Sequence, residues 1–221
     1  MDALNPQLRP LEVNPKTGEP FLRLISHKNI ILTPARLDDG PAMITYFNDE
    51  RVYQWLRKNA EWSLKQAKQR QDEWLAELEA ARDDPILKVV DFCPVGSIRE
   101  VQEDGTEIFI GDIKIGLAQH PWELEGTGRL EQGMPRSDPD IWTFGNYLAP
   151  SHHGRGIMSD VIQTIIQKWA IPRMGVRRMV VTVFEGNAGS VRVLEKNGFT
   201  FRETIAACAE RCGVCVWLNG S

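Results

Sequence analysis

The sequence lacks three features that would point to a membrane, secreted or nucleic-acid-binding protein. No apolar run approaches the roughly 20 residues that a membrane-spanning helix requires. The opening residues, MDALNPQLRP, contain no apolar signal region. The formal net charge of −4 provides no global basic field, which argues against nucleic acid as the main partner. We therefore expect a cytoplasmic enzyme or binding protein that needs neither a membrane nor nucleic acid.

Cysteine is also scarce, with four among 221 residues. In an intracellular protein these thiols are expected to be reduced. Cys208, Cys212 and Cys215 have a spacing used by three-cysteine iron–sulfur sites, and together with Cys93 they provide enough thiolates for zinc. The simpler interpretation is a hairpin in which Cys215 is a small apolar strand residue. We therefore expect no metal.

Length and composition indicate an ordinary globular chain, with 42% apolar and 25% charged residues. Residues 1–27 begin with repeated prolines and are predicted to form an N-terminal extension, partly irregular. Residues 28–221 are then expected to form one folded domain. Within it, residues 117–140 are rich in proline, glycine and charge, and we interpret them as an inserted loop beside the active-site mouth.

Apolar periodicity predicts a mixture of strands and helices before that loop. The predicted strands are Phe21–Ile25, Ile30–Leu32, Leu87–Val90, Val95–Ile98 and Ile108–Ile115. The predicted helices are Pro41–Phe47, Val52–Leu56 and a longer one that opens with a capping box at Ser63. Asp104-Gly105 predicts a hairpin turn. Trp55 is a candidate wall for an acceptor site, although packing of helices on the sheet also explains it.

The segment from residue 147 to residue 201 has the clearest local organisation. A short apolar strand ends at Leu148 and Ala149, and a glycine-bearing turn follows at 153–156. An amphipathic helix is predicted over Ile157–Ala170, ended by Pro172 and Gly175. A β-branched strand over 179–184 and a short capped helix ending at Asn197-Gly198 complete the segment. This order is typical of a right-handed βαβ crossover.

The glycine turn suggests an anion site. A turn that leads directly into a helix aims unpaired backbone N–H groups at one point, and the helix dipole adds positive potential there. The turn is not a P-loop, because no Gly-Lys-Ser/Thr follows at the required spacing. His152, His153 and Arg155 would help an anion bind, although they would suit a solvated turn equally well.

The whole segment resembles the cofactor core of the Gcn5-related N-acetyltransferase (GNAT) superfamily. In that family the turn reads Gln/Arg-x-x-Gly-x-Gly/Ala, and here it is His153-Gly154-Arg155-Gly156-Ile157-Met158, with His first and Met last. A second signature, Asn followed by a small residue and Glu-Lys-x-Gly-Phe, corresponds to Asn187, Ser190 and Glu195–Phe199. The segment is most similar to the ribosomal-protein acetyltransferase branch (RimJ/RimL-like). The resemblance is strong over about 142–205 and weaker over 30–116.

The resemblance implies a fold, a cosubstrate and a reaction. The fold class is α/β (mixed α+β), a twisted, mostly antiparallel sheet with helices on both faces and a splayed strand pair. The cosubstrate is acetyl-CoA, and the reaction transfers its acetyl group to a primary amine by direct attack on the thioester. The implied cofactor-binding residues are Tyr147, Leu148, Ala149, His153, Gly154, Arg155, Gly156, Ile157, Met158, Asn187 and Ser190.

The resemblance also suggests catalytic candidates. Many relatives protonate the leaving thiolate with a Tyr at the position of Leu194, so this route is missing here. Ser190 is the candidate general acid instead, although it also suits the first turn of a helix capped by Asn187. Asp112, or a water chain from Asp140 or Glu107, is the candidate base. Asp112 could be a buried acid or a solvated-face charge, and its alternation with Lys114 favours the solvated face.

Two other functions remain open from the sequence alone. A non-catalytic acyl-CoA-binding module would account for the missing Tyr and for the absence of a carboxylate on the strand before the turn. An interaction protein on the same scaffold would account for His153 and Met158 at the turn. The acceptor, a protein N-terminus or a small-molecule amine, and the state, monomer or homodimer, are not determined by these motifs.

Overall fold

The computed structural model describes residues 9–56, 93–118, 141–205 and 214–219. The helix predicted from Ser63, the strand at 87–90, most of the loop at 117–140, and Cys208 and Cys212 lie outside the described residues. The described chain divides into two compact units. The first contains 9–56, 93–114 and 146–174, and the second contains 115–118, 141–145, 175–205 and 214–219.

The sheet of the first unit is antiparallel, and each strand pairs with the next along the chain. Its strands are β1 (Glu12–Val13), β2 (Pro20–Arg23), β3 (Ile30–Thr33), β4 (Ser97–Val101) and β5 (Glu107–Leu117), whose last residues belong to the second unit. The hairpin predicted at Asp104-Gly105 joins β4 to β5, and Gly105 adopts the left-handed conformation (φ 84°) that such turns require.

Two short helices follow β3 and build the core beside β5. These are α1 (Gly40–Phe47) and α2 (Glu50–Tyr53), and the Asp49 side chain caps α2 by accepting from the Arg51 N–H. Their apolar sides form a buried cluster with the end of the strand before the glycine turn. The cluster consists of Met43, Phe47, Val52, Phe109 and Tyr147. The ring centroids of Phe47 and Tyr147 lie 4.4 Å apart.

A buried ion pair attaches the start of α1 to β4. Arg99 donates from Nη2 to both carboxylate oxygens of Asp39, at 2.8 and 2.6 Å, and from Nε to the Thr33 hydroxyl at 2.8 Å. All three residues are under 5% exposed. A charged pair at this depth is tolerated because its hydrogen bonds are satisfied, and removing one partner would leave an uncompensated charge. The pair therefore fixes where α1 begins.

The predicted solvated position of Asp112 is wrong. Asp112 is 2% exposed and pairs with Ser97 across the β4–β5 ladder. The strict alternation that supported the prediction is interrupted, because Ile98 pairs with Gly111 while the next residue, Arg99, pairs with Phe109. This β-bulge inserts one extra residue into β5 and moves the following side chains to the other face.

The helix after the glycine turn is longer than the sequence predicted. It begins with α3 (Ile157–Ile165), continues through a π-helical segment (Ile166–Ala170) and ends with α4 (Ile171–Met174). Pro172 does not end the helix. Proline has no N–H to donate, and the π-helical segment before it already departs from regular α-helical hydrogen bonding. The helix stops at Gly175, whose φ of 67° is left-handed.

The second unit holds the parallel pair and the C-terminal strands. Its elements are β6 (Ile141–Leu148, whose last residues belong to the first unit), β7 (Arg178–Phe184), α5 (Ala188–Lys196), β8 (Thr200–Ile205) and β9 (Val214–Asn219). β9 lies between β7 and β8 and is antiparallel to both. In the described residues the parallel β6–β7 ladder has two pairs, Ile141–Arg178 and Trp142–Met179, so the strands separate after Trp142. Among the described helices, none is long and apolar enough to cross a membrane.

Candidate acetyl-CoA site

The end of β6 is held against β5 by a backbone hydrogen bond at the bulge. The Ala149 N–H donates to the Ile110 carbonyl at 2.7 Å. Because N–H groups alternate between the two edges of a strand, the Leu148 N–H faces the edge opposite β5. On that edge, the Leu148 carbonyl lies 2.8 Å from Nε2 of His153. The backbone groups predicted at 147–149 therefore differ in direction. The Ala149 N–H is hydrogen-bonded to β5, and the Leu148 N–H faces the other edge of β6.

The glycine turn presents backbone rather than side chains. Gly154 and Gly156 both have left-handed φ angles, 75° and 79°, which favour glycine. A Cβ on Gly154 would meet no atom within 4 Å, so a ligand can approach the backbone there. Ile157 and Met158 are buried, with 1% and 8% of their surface exposed. They are the first two residues of α3, and no side chain caps this helix.

One carboxylate holds the outer side of the turn. Glu100, on β4, lies 3.1 Å from Nη2 of Arg155 and 3.3 Å from Nε2 of His152. Burial raises the pKa of the Glu100 carboxyl, but hydrogen bonds from His152 and Arg155 outweigh burial and hold its pKa below the ordinary value. The positive charge of Arg155 is therefore largely balanced by Glu100. An anion at the turn would therefore interact mainly with the backbone N–H groups and the helix dipole, rather than with the Arg155 side chain.

A second carboxylate holds the other side of the turn. Asp160, in the first turn of α3, accepts hydrogen bonds from the N–H groups of Ser26 and His27, at 2.9 and 2.7 Å. The His27 ring contacts the same carboxylate at 2.8 Å and the Arg155 carbonyl at 3.2 Å. Burial raises the pKa of Asp160, but the hydrogen bonds from His27 and Ser26 outweigh it, and its pKa lies below the ordinary value.

The second unit holds the residues of the second signature. Asn187 is the N-cap of α5, and its side-chain oxygen accepts from the backbone N–H of Ser190 at 3.0 Å. Ser190 is half-buried. The cap uses the Ser190 backbone, so the hydroxyl does not take part in it. Capping and a chemical role for the hydroxyl are thus structurally compatible.

The candidates for a base differ in what surrounds them. Glu107 is hydrogen-bonded to Nη2 of Arg36 at 2.6 Å, and Glu19 contacts the same guanidinium. This pairing commits Glu107 to an ion-pair network. Asp112 is buried one residue beyond Gly111, where β5 meets the end of β6, and Asp140 lies outside the described residues. Trp55 is half-buried just after α2, and its place in an acceptor site stays a prediction.

Sequence reasoning missed Glu100, His27 and Asp160. Asp160 and Thr164 are polar residues four apart on the apolar side of α3, which is a signal that this helix face has polar partners. The Thr164 hydroxyl accepts from the Ile25 N–H at 3.1 Å. Glu100 and His27 had no such signal, because strand register and the path of the chain before β3 bring them to the turn.

Comparison with known proteins identifies the family. The model of the acetyltransferase (GNAT) domain matches residues 29–200 of the 221. The chain belongs to the GNAT acetyltransferase family. A curated relative, the probable N-acetyltransferase YjcK of Bacillus subtilis (strain 168), is 36% identical over 56 residues. That match spans 25% of this chain and 30% of the length of the relative.

Solved structures share the fold. Mycobacterium smegmatis RimJ, in complex with CoA-disulfide, has a TM-score of 0.62 at 18% identity, covering 91% of this chain and 86% of that chain. The ribosomal-protein-S5-alanine acetyltransferase from Vibrio fischeri has a TM-score of 0.59 at 15% identity, covering 89% and 95%. The predicted mixed α/β GNAT fold is thereby confirmed, and so is the resemblance to the RimJ/RimL-like proteins.

Proposed function

We propose that this GNAT protein is an acetyl-CoA-dependent N-acetyltransferase that acts on a primary amine. The observation that carries the proposal is the turn at Gly154 and Gly156, which leads into the uncapped N terminus of α3 with open space beside Gly154. This geometry suits a pyrophosphate, because a glycine backbone admits close approach and the helix dipole favours negative charge. The family match and the CoA bound to M. smegmatis RimJ support the same ligand.

Bound acetyl-CoA would supply an acetyl thioester that an amine can attack. The pantetheine arm would lie along the edge of β6 that faces away from β5. On that edge, the N–H of Leu148 would donate to the thioester carbonyl as negative charge develops on its oxygen. Ala149 is not suited to this role, because its N–H is already donated to Ile110.

Two proton transfers accompany the attack. The acceptor ammonium must lose a proton before its nitrogen can attack, and the leaving thiolate must be protonated or otherwise stabilised. We assign the thiolate proton to the hydroxyl of Ser190, which the cap of α5 leaves available. The candidate to receive the amine proton through water is Asp112, which is buried on β5 next to the contact of Gly111 with the end of β6.

The experiment is calorimetric titration with acetyl-CoA of the wild type and of two isosteric variants, Gly156→Asn and Gly156→Asp. Both side chains tolerate the left-handed conformation better than most residues do. Gly156→Asn therefore measures the cost of a side chain at this position, and Gly156→Asp adds only a negative charge. We expect the wild type to bind, Gly156→Asn to bind more weakly, and Gly156→Asp to lose at least about a further tenfold in affinity.

Two other results would redirect the proposal. Equal affinity of the Asn and Asp variants would place the anion elsewhere on the molecule. Binding of acetyl-CoA without amine-dependent release of free thiol, across protein N-terminal peptides and small-molecule amines, would indicate a binding module rather than an enzyme. Absence of binding by the wild type would contradict the acetyl-CoA assignment itself.

A further inference from the structure

A histidine and a carboxylate form a pair beside the glycine turn that the proposed reaction does not use. Nδ1 of His27 lies 2.8 Å from Oδ2 of Asp160, and Nε2 lies 3.2 Å from the carbonyl oxygen of Arg155. Carboxylate and carbonyl oxygens only accept hydrogen bonds, so each ring nitrogen needs a hydrogen to bond its partner. A neutral ring carries one such hydrogen and a protonated ring carries two. Both contacts of the His27 ring can therefore be hydrogen bonds at the same time only when the ring is protonated.

The position of Asp160 explains why a positive charge is useful there. This carboxylate is 5% exposed and lies in the first turn of α3, at the helix end proposed to bind pyrophosphate. An uncompensated negative charge there would oppose the binding of an anion. His27 is close enough to compensate it, since its Cε1 is 3.9 Å from the place that a Cβ on Gly156 would occupy.

The other charged groups near this pair have partners of their own. The Arg155 guanidinium, in the turn, is paired with Glu100 from β4. Lys28 follows His27 and donates from Nζ to the Leu24 carbonyl at 3.4 Å. Lys168, from the π segment, donates to the Arg23 carbonyl at 3.1 Å. In the turn, His152 contacts Glu100 and Nε2 of His153 contacts the Leu148 carbonyl. The His27 ring contacts Asp160 and the turn backbone.

We propose that His27 is a positioning residue for the acetyl-CoA turn, and that its protonation neutralises Asp160 and strengthens acetyl-CoA binding. This inference rests on the proposed function. Histidine changes charge between about pH 5 and pH 8. Without that proton, the charge of Asp160 would be exposed to the bound phosphates, and affinity would fall. By linkage, binding of the anion draws a proton onto His27.

The test measures this linkage directly. The wild-type protein is titrated with acetyl-CoA at about pH 6 and about pH 8.5, two values that span the range in which histidine side chains change charge. Each titration is repeated in buffers that differ in ionisation enthalpy. We expect affinity to be about three- to tenfold weaker at the higher pH, as one charge near a helix N terminus gives. We also expect net proton uptake near neutral pH. Repeating the series with the acetylated 3′-dephospho form of CoA removes the ligand phosphomonoester, which titrates near about pH 6.

Two variants separate the charge from the packing. His27→Gln keeps a hydrogen-bonding side chain but cannot become cationic. Its affinity should therefore depend on pH less than that of the wild type and should be close to the wild-type value at high pH, with any remaining dependence due to His152 and His153. Asp160→Asn removes the negative charge and keeps an acceptor for the N–H groups of Ser26 and His27. It should bind more tightly than the wild type at about pH 8.5, by about three- to tenfold, because no negative charge is left for the ring to neutralise. A purely structural pair would instead weaken binding in both variants at every pH.

The possible failures are distinguishable. No binding by the wild type at any pH would contradict the acetyl-CoA assignment, and this inference with it. Wild-type binding without proton uptake, or His27→Gln with the pH dependence of the wild type, would overturn the role of His27 and leave the proposed function intact. Weaker binding by Asp160→Asn at high pH would overturn it as well. Should His27→Gln fail to fold, the wild-type proton uptake and Asp160→Asn decide the question.

Discussion

A Cβ atom on Gly111 would lie 2.4 Å from the carbonyl oxygen of Tyr147. No real side chain tolerates that distance, so the close approach of β5 to the end of β6 depends on glycine at this position. Gly111 also has a φ of 156°, which L side chains rarely adopt. Next to this contact, the Ala149 N–H donates to the Ile110 carbonyl, and the Leu148 N–H therefore points to the edge of β6 that faces away from β5.

We expect Gly111→Ala to destabilise the protein by about 2–4 kcal/mol, because the added methyl meets backbone that cannot move aside cheaply. Urea unfolding followed by circular dichroism measures this. The matched control is Gly116→Ala on the same strand, where an added Cβ meets nothing within 4 Å. That variant should stay within about 0.5 kcal/mol of the wild type. Similar losses in the two variants would show that the contact with Tyr147 is not the cause.

The buried pair of Arg99 and Asp39 gives a second prediction. Asp39→Ala leaves the guanidinium of Arg99 buried without its partner, and we expect a loss of about 3–5 kcal/mol in the free energy of unfolding. The neighbouring Asp38 is exposed, so Asp38→Ala should change stability by less than about 0.5 kcal/mol. Chemical denaturation of the two variants tests the difference. An Asp39→Ala protein as stable as Asp38→Ala would mean that Arg99 finds water or another acceptor.

The lowered pKa of Glu100 predicts a pH-dependent contribution to stability. The folded-state pKa lies below the ordinary value, so Glu100 stabilises the fold above its unfolded pKa, and this stability is lost as pH falls through the folded pKa. Glu100→Gln should cost roughly 0.5–1.5 kcal/mol at about pH 7 and almost nothing at about pH 3. The exposed Glu103, changed to Gln, serves as the control. A cost for Glu100→Gln that is equal at both pH values would contradict a charge-dependent role.

Ser190 can be tested without disturbing α5, whose first turn contains it. The cap uses the backbone N–H of Ser190, so Ser190→Ala keeps the bond to Asn187. We expect this variant to lower kcat by about 10²-fold or more, the usual loss for a general acid, with little change in acetyl-CoA affinity. Asn187→Ala should instead cost about 1 kcal/mol of stability through the lost cap. Unchanged kcat in Ser190→Ala would leave Ser190 a structural residue of the first turn.

Asp112 makes the corresponding prediction for the base. Asp112→Asn keeps the shape of the side chain but cannot accept the amine proton. We expect a lower kcat near neutral pH and recovery of activity at higher pH, where more of the acceptor amine is already deprotonated. A pH–rate profile of the wild type and variant measures this. A uniform loss across the profile would indicate that Asp112 supports β5 rather than the chemistry.

The parts of the fold encoded by local patterns could be predicted from the sequence. The hairpin at Asp104-Gly105, the cap at Asn187 and the helix stop at Gly175 each depend on residues that are neighbours in the chain. The burial of Asp112 could not be predicted in this way, because it depends on a bulge whose register is set by pairing with β4. Pro172 misled the prediction for a similar reason, since the π segment before it changes the local hydrogen bonding.

The candidate site shows the same division. The glycine turn and its family resemblance could be read from a few consecutive residues, and they led to acetyl-CoA. The three side chains that hold this turn, Glu100, His27 and Asp160, meet only after the chain folds. No spacing rule connects positions separated by more than a hundred residues, as His27 and Asp160 are.

The contact of residues 26 and 27 with α3 has a practical consequence for where this domain should be cut. The family match begins at residue 29, after both residues. A recombinant fragment started there would keep the glycine turn and every matched position, yet Asp160 would lose two backbone donors and the imidazole. The fragment would also lose β1, β2 and the buried side chains of Leu22 and Leu24, so we expect it to be less stable and to bind acetyl-CoA poorly. The segment that matches the family model is therefore shorter than the segment that this protein requires for stable folding and acetyl-CoA binding.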